Sequence, residues 1–216
     1  MTVGSVVAII IAIAVGVWVG AESDAGSTEL QGDGSALSET ILALPAVSGW
    51  RDGYERDLFG DGWLDTDRNG CDTRNDILAR DLEGERFKPG TQDCVVLEGV
   101  LHDPYTDTVI DFVRGNDTSE LVQIDHVVAL SWAWGHGAAD WSEEKRKAFA
   151  NDPLNLLAVD GATNAAKSDS GPAEWVPPVA GYHCAYAERF TAVLDDYDLA
   201  IGNTDRQALL ALAEEC

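Results

Sequence analysis

Three stretches decide how this chain folds: Ile124-Asp125-His126-Val127-Val128, Asn151-Asp152-Pro153-Leu154-Asn155-Leu156-Leu157 and Thr163-Asn164-Ala165-Ala166-Lys167-Ser168-Asp169. The first lies in Val122–Val128, whose β-branched residues read as a strand. Leu156–Val159 reads as a brief extended piece. A helix opens near Gly161–Thr163 and carries Asn164 and Lys167. The outcome is a compact strand-strand-helix unit near the middle of the chain. Within a strand, Asp125 and His126 point to opposite faces. At a strand end, where the chain turns, both can reach one centre.

The residue types in this unit suit phosphodiester hydrolysis. Asp125 offers a carboxylate to a hard cation, and Asn164 offers an amide oxygen as a second ligand for Mg²⁺. His126 accepts a proton from the attacking water, its unperturbed pKa of about 6.5 being suited to neutral pH. Asn155 stands at the return strand, where its amide can fix the His126 ring. Lys167 shares a helical face with Asn164 and can touch a phosphate. Arg74 is a second phosphate candidate, because a guanidinium presents paired donors; an ion pair with a nearby Asp is its other reading. The divalent ion offsets charge at phosphorus and on the departing oxygen.

The pattern Asp-His-Val-Val, Asn-Leu-Leu and Asn-x-x-Lys resembles the HNH nucleases with a ββα-metal fold. It is most similar to the branch whose third position is Asn, found at the C-terminus of GmrSD-type modification-dependent restriction enzymes. The stretches Asn69-Gly70-Cys71-Asp72-Thr73-Arg74-Asn75-Asp76-Ile77-Leu78 and His102-Asp103-Pro104-Tyr105-Thr106 resemble exported members of that branch, which often carry Gly where this chain has Asp107. The resemblance spans roughly Trp50 to Tyr186. It implies that His126 is the general base, Asp125 and Asn164 the metal ligands, and Asn155 the residue that orients the base. It also implies a nucleic acid substrate, DNA or else RNA, cut with Mg²⁺ or Mn²⁺.

Outward from this unit, the fold class is α+β: a ββα-metal core with flanking helices, after an N-terminal hydrophobic helix. Val3–Ala21 is apolar and reads as a signal peptide or a membrane anchor over residues 1–21. Residues 22–39 are rich in Gly, Ser, Asp and Glu and read as a linker, so the nuclease domain is set at 40–216. Helices are expected at Asn75–Leu82, Ser142–Phe149, His183–Asp196 and Thr204–Glu215, the last with a Thr204 and Gln207 capping box. Cys94–Leu101 and Thr108–Val113 form an expected hairpin. Four cysteines in an exported chain favour disulfides, by proximity Cys71 with Cys94 and Cys184 with Cys216; a zinc site is the rival. Asp65, Asp67 and Asn69 match the opening of a Ca²⁺ loop, although Asp76 stands where Glu is usual.

Charge sets the hardest condition. Against 38 Asp and Glu stand 14 Lys and Arg, a formal net charge of −24. Such a field repels nucleic acid at long range, so local cations must serve the phosphate; Lys145, Arg146 and Lys147 are the candidates for a basic rim beside Lys167. No zinc finger, helix-turn-helix or aromatic single-strand platform is evident, so base-specific reading is not expected. The protein is expected as an exported monomer, secreted or held to the outer membrane face. Its alternative function is a non-catalytic module that binds calcium or a partner on an inactive nuclease fold. His102, His136 and His183 show no ligand spacing.

Overall fold

A computed structural model describes Met1 and residues 34–47, 49, 51–116 and 118–216. The expected apolar helix of residues 3–21 lies outside the described residues, as does most of the linker. Among the described residues the first helix is α1 at Gly34–Ala43, so the last part of the expected linker is folded. Ile41 is the reason: it is fully buried in the core, where α1 packs on two C-terminal helices. Among the described residues no helix is long and apolar enough to cross a membrane.

After a short 3₁₀ turn at Arg56–Phe59, α2 spans Thr73–Asp81. Its start is fixed by Asp72, whose carboxylate accepts the Asn75 N–H at 2.9 Å and satisfies one of the free donors of the first turn. Strands β1 (Leu82–Phe87), β2 (Val96–His102) and β3 (Val109–Val113) form an antiparallel sheet in that order. The β2–β3 hairpin matches the expectation, whereas β1 was not anticipated. Asp107, in the turn of that hairpin, has φ +57°, a left-handed conformation that Gly or Asp tolerates best.

The middle unit follows. Strand β4 (Val122–His126) pairs antiparallel with β5 (Leu156–Asp160), setting His126 opposite Leu156 and Asp125 opposite Leu157. Between them lie α3 (Leu130–Gly135), which was not anticipated, and α4 (Glu143–Ala150), capped by Ser142 as expected. Helix α5 (Gly161–Lys167) leaves β5 directly, with the Asp160 carboxylate accepting the Thr163 N–H. Helices α6 (His183–Tyr197) and α7 (Asn203–Ala213) complete the fold; α7 is capped at Gly202 without the side-chain bond expected from Thr204, because the cap falls two residues earlier and Thr204 lies inside the first turn.

Two cores hold the β4–β5 hairpin from its two faces. Val122, Ile124, Leu156 and Ala158 pack with Ile77, Leu78, Val96 and Phe112 of the α2–sheet half. Leu157 and Val159 pack on the opposite side with Tyr105, Phe149, Tyr186 and Phe190. Burial on both faces accounts for the nearly continuous apolar run of β5. Disulfides join Cys71 to Cys94 and Cys184 to Cys216, the expected pairing.

Candidate active site

The end of β4 is where the chemistry gathers. Asn155 is fully buried, and its side chain accepts the Val128 N–H at 2.8 Å and donates to the Val128 carbonyl at 3.1 Å. Its own carbonyl accepts the Val127 N–H at 2.8 Å. These three bonds stop the strand at His126 and turn the chain toward α3. Asn155 therefore acts on the backbone beyond His126 and not on its ring as expected. Asp125 and His126 consequently reach one cavity, of about 450 Å³, whose wall also carries Gln123, Asn164 and Arg56.

His126 is buried, its Nε2 lying 2.8 Å from the Ala150 carbonyl oxygen. A carbonyl only accepts, so Nε2 carries the proton and Nδ1 keeps the lone pair. Burial is the largest influence on the ring and lowers its pKa to about 4, the Ala150 bond and the Asp125 charge working in the other direction. The imidazole is therefore neutral at pH 7. Trp63 lies parallel to it, ring centroids 5.7 Å apart and planes 9° from coplanar. Nothing in the sequence linked Trp63 to His126, since their spacing carries no period.

Asp125 is held on both oxygens. Oδ1 accepts from the Lys167 ammonium at 2.9 Å, and Oδ2 from the Tyr105 hydroxyl at 2.7 Å. Lys167 has no exposed surface and gives a second hydrogen bond to the His126 carbonyl at 2.9 Å. Its expected contact with a phosphate is corrected: the side chain runs inward and locks Asp125 and His126 together. Asn164 donates from Nδ2 to Gln123 Oε1 at 2.8 Å, and in this arrangement its Oδ1 is left as an oxygen donor beside the cavity. One carboxylate and one carboxamide are hard oxygen donors of the kind Mg²⁺ takes while keeping several waters. Each Asp125 oxygen retains a second lone pair beyond its hydrogen bond, so the donor set fits such an ion. Among the described residues no three His, Cys, Asp or Glu side chains cluster to hold a metal.

The other nominated residues lie elsewhere. Arg74 sits over the Phe112 ring at 6.0 Å, away from the cavity wall, and burial lowers its pKa. The expected basic rim is used for packing: Lys145 donates to the Tyr197 carbonyl, Arg146 to the Leu58 and Trp141 carbonyls, and Lys147 pairs with Glu143. In the acidic loop, Asp65 accepts the Gly70 N–H, Asp67 the Asn69 N–H, and Asn69 the Cys71 N–H, closing the turn on its own backbone. Asp76 receives the Asn69 amide, and burial raises its pKa. Arg56 and Tyr54, by contrast, line the cavity although sequence reasoning passed over them.

No solved structure matches the chain. It is 36% identical over 186 residues to an "uncharacterized secreted protein" of Arthroderma benhamiae, an alignment that covers 84% of this chain and 86% of the relative. Residues 72–212 match the family described as "GmrSD restriction endonucleases, C-terminal domain", a span that holds Asp125, His126, Asn155, Asn164 and Lys167. The chain belongs to that family of restriction-endonuclease C-terminal domains.

Proposed function

We propose that this protein is an HNH-type endonuclease that hydrolyses phosphodiester bonds in DNA with His126 as general base. The observation that carries the reading is the convergence of Asp125, His126 and Asn164 on one cavity, with the His126 Nε2 proton engaged by the Ala150 carbonyl. Nδ1 is thereby left as the acceptor for a proton from water.

His126 takes that proton as the water oxygen bonds to phosphorus and the opposite P–O bond breaks. The imidazolium so formed is supported by the Ala150 carbonyl and the Asp125 carboxylate, whose charge also favours a protonated ring. Lys167 and Tyr105 keep Asp125 from rotating, Gln123 holds the Asn164 amide by a hydrogen bond, and Asn155 holds the turn on which His126 depends. Asp125 and Asn164 would hold a divalent cation, Mg²⁺ or Mn²⁺. When bound it offsets charge on the phosphate and the leaving oxygen.

Export fits this reading. The relative is named a secreted protein, and two disulfides suit an oxidising compartment.

The test is incubation of the purified protein with supercoiled plasmid and Mg²⁺ or Mn²⁺. Nicking is expected, and it is abolished by a chelator and by Asn164→Ala. Nicking undiminished by chelator contradicts the metal assignment, and a wild type that cuts neither DNA nor RNA contradicts the function.

A further inference from the structure

The proposed reaction lacks a cation for the substrate, because Lys167 is buried and Lys145, Arg146, Lys147 and Arg74 are engaged elsewhere. Among the residues lining the 450 Å³ cavity, Arg56 is the one Lys or Arg. It also borders a smaller cavity lined by Phe59, Trp63 and His126, so Arg56 and His126 share the walls of both cavities. Its side chain is exposed, sits beside the Tyr54 phenol, and forms no ion pair with a carboxylate among the described residues.

The backbone beneath Arg56 is anchored. Phe59 is buried against Trp134 and Phe149, Arg146 donates to the Leu58 carbonyl at 3.0 Å, and the Leu64 N–H donates to Asn151 at 2.9 Å. An exposed guanidinium on an anchored turn, lining the cavity that holds the base, suits a phosphodiester: it presents paired donors in the geometry a phosphate takes. In a chain of net charge −24, one such cation at the reacting centre matters more than it would on a basic surface.

We infer that Arg56 binds the scissile phosphate, so that the segment preceding the family-matched residues 72–212 completes the active cavity. This assignment rests on the nuclease reading above.

The test compares plasmid cleavage by wild type, Arg56→Gln, Arg56→Lys and Arg74→Gln, with melting temperatures to establish folding. Arg56→Gln is expected to lower kcat/KM on the order of 100-fold, the scale of losing one transition-state donor. Arg56→Lys should recover part of the loss, and Arg74→Gln should stay within twofold of wild type. Arg56→Gln within threefold of wild type, or Arg74→Gln equally impaired, overturns the assignment. If the wild type cuts no nucleic acid, the nuclease reading fails on its own. Calorimetric titration with inorganic phosphate then decides the anion site: binding lost in Arg56→Gln supports it, and binding that is absent or equal in both overturns it.

Discussion

Lys167 has no exposed surface, and its ammonium reaches two oxygens, those of Asp125 and the His126 backbone. Removing one partner of a buried pair leaves the other charge uncompensated. Lys167→Met should therefore lower stability by about 3–5 kcal/mol in urea unfolding. A loss of cleavage with unchanged stability would instead restore the phosphate role that helical spacing suggested. His126 gives a pH signature of its own. Its folded pKa of about 4 lies below the unfolded value of 6.5, so between these limits the unfolded chain binds the extra proton. The stability due to a neutral His126 is complete above about pH 6.5 and is lost as pH falls toward 4, an effect of up to about 3 kcal/mol. His136, also lowered by burial, acts in the same direction. Melting temperature against pH should be flatter across this window in His126→Phe; equal slopes would show that the ring does not contribute.

At the scale of elements, the site depends on where β5 ends and α5 begins. Gly161 occupies that junction, and a Cβ there would lie 1.9 Å from the Glu120 carbonyl oxygen. Gly161→Ala must push α5 away from the 118–121 loop, carrying Asn164 with it. An overpacking cost of about 1–3 kcal/mol is expected, together with a loss of cleavage, and a variant as stable and active as wild type would refute the dependence. The hairpin, α5 and the β2–β3 pair were legible because their apolar periods and turn residues agree with the fold. Strand β1 was not, since its Leu-Glu-Gly-Glu-Arg-Phe sequence is charged on the solvent side and joins the sheet by pairing with β2 alone. The Asp125, His126 and Asn164 grouping could be read from sequence, but the partners of Asn155 and Lys167 could not: their bonds depend on which way each side chain turns in three dimensions. Arg56 and Trp63 were missed because a short 3₁₀ turn leaves no periodic mark and the contact spans more than sixty positions.

For the whole molecule, the acidic field and the anionic substrate oppose each other at long range. Moderate salt should screen that repulsion, so plasmid cleavage is expected to rise from low ionic strength to a maximum before falling. A rate that only declines, steeply and from the lowest salt, would reveal an extended cationic groove that the cavity wall does not contain. The two disulfides tie the loop ahead of α2 to the segment before β2, and the start of α6 to the C-terminal residue. Cleavage itself turns on His126 acting as the base in the proposed reaction. That role is checked with His126→Gly, by measuring plasmid nicking with and without added imidazole. A loss of at least about 100-fold that imidazole partly restores is expected; a glycine variant that nicks as fast as the wild type would show that another group takes the proton.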